Sequence, residues 1–351
     1  MEIVALCRTG FEKEVAAELA DFAGLCGVSG YPKTREGQGY VQFVCAESSG
    51  ALDLICAKPF EELVFVRDWF IAAGEVADLD PNDRVSALVE AYESELAGYA
   101  PDIAEWVFLN VDSNEGKSLA KLTRGVGNHC QKELGLKADS QWVATLLLTS
   151  GTSGFLGVCP KNHRPRWPGG IAHLKLPKAA PSRATLKLEE AWHHFIPSKE
   201  WDRRLAGGMH AVDLGAAPGG WTYQLVARSM FVDAVDNGPM ALSLMETGQV
   251  RHHQSDGFQY QPPKPVDWLV CDIADKPSRV ASMMALWGEH AWFGEAVFNL
   301  KLPMKKRYMA VQQCRAQIQD RLWSAGRAHQ LLFKQLYHDR EEVTGWLRIT
   351  G

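Results

Sequence analysis

The eight cysteines of this 351-residue chain, at positions 7, 26, 45, 56, 130, 159, 271 and 314, include no Cys-x-x-Cys pair. That argues against a zinc site or a disulfide framework and predicts reduced thiols in a cytoplasmic protein. No apolar run approaches the roughly 18 residues of a transmembrane helix, so no membrane association is expected. The start of the chain carries Glu2, Glu12 and Glu14 and lacks the apolar stretch of a secretory signal. No cluster of ligand residues calls for a metal, and none is expected. The dinucleotide fingerprint G-x-G-x-x-G is also missing, which disfavours a nicotinamide-dependent oxidoreductase.

Charge is unevenly spread. Residues 1–160 hold 12 Lys+Arg against 24 Asp+Glu, a net of −12, and the remainder holds 25 against 18, a net of +7. Ten of the eleven histidines also lie beyond residue 160. The C-terminal half is therefore the expected partner of a polyanion.

Residues 2–7 and 40–45 read as strands. Phe11, Val15, Leu19 and Phe22 recur at helical spacing, 51–57 reads as a short helix, and 63–72 as a β-type run. This order predicts a ferredoxin-like α+β unit over 1–80. Helices over 84–97 and 118–135, a strand over 105–111 and a strand pair at 142–148 and 154–158 make a second unit, 81–160. Asp112 and Glu115 in that unit read as helix-capping acids. Residues 160–181 hold five prolines with interspersed Lys161, Arg164, Arg166, Lys175 and Lys178. We read 161–181 as a basic, extended linker. From 182 onward strands at 209–214, 231–235, 267–271 and 296–301 alternate with helices and end in a pair near 330–337 and 343–349. That pattern predicts an α/β, Rossmann-like doubly wound domain over 182–351.

The chemistry gathers at the first of these strands. Val212-Asp-Leu-Gly215-Ala-Ala217-Pro218-Gly219-Gly220-Trp-Thr222 runs from an apolar strand through a glycine-rich turn into a helix. Such a junction aims backbone N–H groups at a ligand. Asp213 in the strand and Pro218 in the turn suit S-adenosylmethionine, which would lie over Gly215, Ala217, Pro218, Gly219 and Gly220. Asp236 ends the next strand about twenty residues on, where an acid accepts from ribose hydroxyls; alone, it reads equally as a turn aspartate. Asp256, in Ser-Asp-Gly-Phe, sits where it would accept from an adenine amino group. Asp272 closes a buried strand at the same edge, where a carboxylate is costly unless partnered. Asp275 and Lys276 follow as turn residues. Lys301 ends the apolar strand Ala296-Val-Phe-Asn-Leu-Lys301, and Leu302-Pro303 turns the chain away. Desolvation and neighbouring cations are expected to lower its pKa and make it a base. Ser182 reads as the cap of a helix in which Lys187 lies off the apolar stripe, so pattern alone makes Lys187 exposed. Pattern does not choose between Glu341 and Glu342 at the start of the last strand.

Residues 182–351 resemble the FtsJ-type ribose 2′-O-methyltransferase family. The shared pieces are Ser-Arg-Ala-Thr-Leu-Lys187-Leu-Glu, Asp-Leu-Gly-Ala-Ala-Pro-Gly-Gly-Trp, Val-Cys-Asp272, Asn-Leu-Lys301 and Arg-Glu-Glu342-Val, in the family's order. With Gly-Phe-Glu-Lys-Glu near the start, Val-Asp-Asn-Gly-Pro-Met and Lys-Leu-Pro-Met-Lys-Lys-Arg-Tyr, the whole chain is similar to bacterial enzymes that methylate a cytidine of 23S rRNA. The resemblance implies a THUMP-type RNA-binding region over 81–160 and a catalytic tetrad of Lys187, Asp272, Lys301 and Glu342. It implies 23S rRNA as partner, before or during assembly of the large subunit.

Methyl transfer from a sulfonium is an in-line displacement that needs orientation and a proton acceptor. Lys301 is expected to be that acceptor, with Lys187 depressing its pKa and Asp272 and Glu342 positioning the amines. Ala184, in the 182–184 segment, is expected over the cofactor's methionine end. Lys305, Lys306 and Arg307, just past Lys301, are expected on RNA phosphates, with Lys117, Lys121, Arg124 and Lys132 as a local basic face in the acidic half. A monomer is expected. The rival readings are an RNA-binding protein with an inactive methyltransferase fold, the nicotinamide oxidoreductase, and a base methyltransferase. The last is disfavoured because Asn299-Leu-Lys301-Leu-Pro303 lacks the paired proline and aromatic of that class.

Overall fold

The computed structural model describes residues 1–351, which divide into two compact units, Met1–Ile171 and Ala172–Gly351. The first begins β1 (Glu2–Leu6), α1 (Glu12–Cys26), β2 (Gly30–Lys33), β3 (Tyr40–Cys45), α2 (Gly50–Ala57) and β4 (Asp68–Ala72). This is the expected ferredoxin-like arrangement. β1 is buried along its length between antiparallel β3 and β4, which is why its residues after Glu2 are all apolar. The strand expected over 63–72 begins only at Asp68. The Val64 and Phe65 N–H groups donate instead to the buried Glu18 carboxylate, which takes them out of the ladder.

The chain continues with α3 (Arg84–Glu95), β5 (Glu105–Leu109), α4 (Asn114–Leu134), β6 (Trp142–Leu148) and β7 (Gly154–Pro160). All seven strands form one sheet, β2-β3-β1-β4-β7-β6-β5, in which β4 meets β7 at Ile71–Val158 and Ala72–Gly157. The segments on either side of residue 80 are therefore continuous through the sheet. The cap of α4 is Ser113, whose hydroxyl accepts from Gly116 N–H at 3.0 Å, rather than Asp112 or Glu115. Asp112 instead pairs with Arg67 at 3.0 Å. The Pro-rich segment is partly anchored. The buried Asp68 carboxylate accepts from Arg164 at 2.9 Å and from Gly169 N–H at 2.8 Å, so residues 164–169 are fixed to the first unit.

The second unit comprises α5 (Thr185–Phe195), α6 (Trp201–Arg204), β8 (His210–Leu214), α7 (Gly220–Ala227), β9 (Phe231–Val235), α8 (Leu242–Met245), β10 (Val250–His253), β11 (Val266–Cys271), α9 (Pro277–Glu289), β12 (Phe293–Lys301), α10 (Arg307–Ser324), β13 (His329–Lys334) and β14 (Glu342–Ile349). Its sheet runs β10-β9-β8-β11-β12-β14-β13, parallel from β10 to β12, with β14 antiparallel to both neighbours. Trp192, Trp221, Trp268, Leu225 and Trp346 pack with Val270 and Val297 in the core beneath α5 and α7. Full burial of such side chains stabilises by about 1.5–3 kcal/mol each. The strand order reverses between β8 and β11, the place where open α/β sheets bind ligands beyond the strands' carboxyl ends. No helix is long and apolar enough to cross a membrane.

Candidate active site

The glycine-rich bend leaves β8 at Gly215 and enters α7 at Gly220. Gly215 (φ 78°) and Gly219 (φ 113°) adopt left-handed backbone that glycine favours. A side chain at either would also collide, at 215 with Ile273 at 2.8 Å and at 219 with Leu244. The Ala217–Pro218 bond is cis. Gly220 lies against Ser182 and Ala184, so the segment before α5 covers the start of α7. Ser182 therefore does not cap α5: Ala184 holds the N-cap position, and no side chain bonds there.

Three aspartates define the far side of the bend. Asp236 accepts from Ala217 N–H at 3.0 Å through one oxygen and from Gly238 N–H at 2.7 Å through the other, tying the loop after β8 to the loop after β9. Asp256 accepts from Phe258 N–H at 2.9 Å, beside a Ser255 hydroxyl that is buried and has no hydrogen-bond partner. Asp213 is buried in β8 and accepts from the Thr222 hydroxyl at 2.6 Å. Burial pushes its carboxyl up to about 7, with the Thr222 hydrogen bond opposing.

The loop after β11 joins this crevice to a ring of charges. Asp272 N–H donates to Leu214 O at 3.2 Å, so the carboxylate stands beside the bend. Lys301, at the end of β12, donates to Asp272 Oδ1 at 2.6 Å and to Glu342 Oε2. Lys187, reaching from α5, donates to Asp272 Oδ2 at 3.5 Å and to Glu342 Oε1. Two amines and two carboxylates thus alternate. The register makes half of this automatic, because Lys301 lies opposite Glu342 across β12 and β14. All four members of the tetrad implied by resemblance meet here.

Two expectations are corrected, and one open choice is resolved. Lys187 is not exposed: its side chain keeps 16% of its accessible surface, because a long stem on α5 spans to partners on two other elements. Burial alone pushes the Lys301 amine down, but the Asp272 and Glu342 carboxylates push it up further, so its pKa lies above the ordinary lysine value and not below it. Of the two adjacent glutamates, Glu342 is buried in the ring, whereas Glu341 is exposed and pairs with Arg307 at 2.7 Å.

Beyond the ring, Lys305 and Lys306 are exposed, and Arg307 is held largely inward by Glu341. Asp275 accepts from Lys276 N–H and Arg279 at 2.6 Å each, a turn role as its sequence suggests. Asn299 belongs to the site and was not singled out. It donates to Asp272 Oδ1 at 3.0 Å and Glu342 Oε2 at 3.5 Å. The signal was present: a polar residue two positions before Lys301 in an apolar strand shares its face.

The bend, the α7 N-terminus and carboxylates on the loops after β9, β10 and β11 offer acceptors and donors suited to a nucleoside with a charged tail. The unpartnered Ser255 hydroxyl is a further polar group that such a ligand would satisfy.

Two family models and several named relatives match this chain. The family model described as RlmM ferredoxin-like domain matches residues 1–70, and that of FtsJ-like methyltransferase matches residues 180–291. A relative from Teredinibacter turnerae named ribosomal RNA large subunit methyltransferase M is 66% identical over 349 residues, covering 99% of this chain and 100% of its own length. Relatives of the same name from Cellvibrio japonicus and Saccharophagus degradans are 53% and 52% identical, with 98% and 99% of each chain covered.

Proposed function

The chain belongs to the ribosomal RNA large subunit methyltransferase M family, and from that premise we propose that it moves a methyl group from S-adenosylmethionine to the ribose 2′-hydroxyl of a cytidine in 23S rRNA. The observation that carries this reading is the alternating ring of Lys187, Asp272, Lys301 and Glu342 beside the glycine bend. A ring of amines and carboxylates can hold a hydroxyl and accept its proton.

When bound, the cofactor supplies an electrophilic methyl group on a positively charged sulfur. Gly215, Ala217, Pro218, Gly219 and Gly220 would let it approach the main chain, Asp236 would take its ribose hydroxyls, Asp256 its adenine amino group, and Ala184 would lie over its methionine end. Asp272 would flank both cofactor and substrate. Lys301 in its uncharged form would take the 2′-hydroxyl proton at Nζ, freeing the ribose oxygen to accept the methyl group that the bound cofactor would supply. The carboxylates keep the resting amine charged, so it must first release a proton. A positive charge entering the crevice favours that release. The partly exposed Lys301 side chain gives the proton a route to water.

Lys305, Lys306 and Arg307 would steer the RNA backbone into the crevice. In the first unit, Lys117, Lys121, Arg124 and Lys132 are exposed on α4 and would add phosphate contacts in a THUMP-type region. We place residues 81–160 in that region, 161–181 in the linker and 182–351 in the catalytic domain of a cytoplasmic monomer. Transfer of a labelled methyl group to 23S rRNA tests the reading. Wild type should label the RNA, and Lys301→Ala should label it at least about a hundredfold more slowly while binding cofactor with little change. Undiminished turnover of the variant would remove Lys301 as the base.

A further inference from the structure

Asn299, Thr344 and Asp339 form a line of buried polar groups that ends on the charged ring. Asn299 and Thr344 face each other across β12 and β14, and all three residues are fully buried. Proton counting gives the line a direction. The carboxylates of Asp272 and Glu342 only accept, so Asn299 must turn its amide nitrogen toward them. Its carbonyl oxygen then faces the Thr344 hydroxyl at 2.8 Å and takes that hydroxyl's single proton. Thr344 Oγ1 also lies 2.9 Å from Asp339 Oδ2. With its own proton committed, Thr344 can only accept there, so the proton of that contact sits on Asp339.

Two features of Asp339 pull in opposite directions. Its Oδ2 also accepts from Leu336 N–H at 2.9 Å, which favours the charged form, whereas its Oδ1 is buried with no partner, which an anion tolerates poorly. The charged groups facing it are Glu342 on β14 and Glu190 and Lys187 on α5, two anions against one cation. Burial, then Glu342, holds its carboxyl well above the usual carboxylate range.

We propose that Asp339, kept as a neutral acid, acts through Thr344 and Asn299 as a positioning chain. It fixes the Asp272 and Glu342 carboxylates and, through them, the Lys301 amine. The catalytic part of this inference rests on the methyl-transfer reading above; the protonation of Asp339 does not. An ionised Asp339 would claim the Thr344 proton, leave the Asn299 carbonyl unpaired, and release the amide that steadies the ring.

The test has two arms. Carbon-13 NMR of the aspartate-labelled protein, with Asp339 assigned by its loss in Asp339→Asn, should show a protonated carboxyl at neutral pH; an ionised one overturns the proposal. In the kinetic arm, Thr344→Val should lower kcat by roughly tenfold to a hundredfold with the cofactor KM unchanged, because a small misplacement of a reacting group is costly. Thr344→Ser keeps the hydroxyl and should restore kcat. A Val variant that turns over like wild type, or a folded Ser variant as slow as Val, contradicts the positioning role. If Thr344→Val does not fold, the NMR arm still decides. A wild-type protein that transfers no methyl group to rRNA defeats the functional reading and leaves the NMR result to judge Asp339.

Discussion

The Lys301 amine lies 2.6 Å from the Asp272 carboxylate across the ends of two adjacent parallel strands. Such a contact makes the amine a better ammonium and a slower base. Below its pKa, each unit of pH raises the free-amine fraction tenfold. We therefore expect kcat/KM to climb from about pH 7 to about pH 9 without levelling. Asp272→Asn removes one of the two charges that raise the amine, so its rising limb should move to lower pH even as the overall rate falls. A flat profile over that range, or a limb that stays in place, would contradict the charge relation.

Glu341 and Glu342 provide an internal comparison. Glu342 bridges both amines from a buried position, whereas Glu341 keeps 63% of its side-chain surface and meets only Arg307 among the ion pairs. Glu342→Gln should cost at least about a hundredfold in methyl transfer, since a buried partner of two cations is lost. Glu341→Gln should stay within about twofold, as exposed pairs contribute little. Initial rates on 23S rRNA measure both, and equal losses would place the wrong glutamate in the ring.

Gly219 combines positive φ with a neighbour that leaves no room for a Cβ. Gly219→Ala should lower stability by about 1–3 kcal/mol and weaken S-adenosylmethionine binding at least tenfold. Gly248 also has positive φ (70°) but nothing within 4 Å of a Cβ, so Gly248→Ala should lose some stability and keep its affinity. Calorimetric titration of both variants separates a distorted bend from general strain. Full affinity in Gly219→Ala would show that the bend does not carry the cofactor.

Asp213 makes stability depend on pH with a definite sign. Its folded-state pKa is raised to about 7, so the folded chain holds a proton that the unfolded chain releases near pH 4. Stability is therefore lost as pH rises through that window and levels off above it. Asp213→Asn keeps an oxygen for the Thr222 hydroxyl and removes the ionisation. Its advantage over wild type should grow between about pH 4 and pH 7 by as much as roughly 4 kcal/mol. Denaturant unfolding at intervals of pH reads this directly, and a constant difference would show that Asp213 is ionised throughout.

Local pattern made β8, β9, β11, β12 and the glycine bend legible, because buried strands and left-handed glycines leave marks within a few residues. It left β2 and β10 unseen, since each is only four residues long. It also placed Lys187 at the surface. What buries Lys187 is a pair of carboxylates distant in sequence, and periodicity on its own helix carries no trace of them. The lowering expected for Lys301 failed for the same reason. The strand announces desolvation, but the strength of two facing anions depends on register with β14. Ser182 was drawn to a capping role by residue type and is instead packed against Gly220.

Mapping ribose methylation across 23S rRNA from cells with and without this protein tests the central claim most directly. One cytidine should carry a 2′-O-methyl group only when the protein is present, and Lys301→Ala should fail to restore it. A methyl group that depends on this protein but sits on a base, or an unchanged set of ribose methylations, would contradict the account.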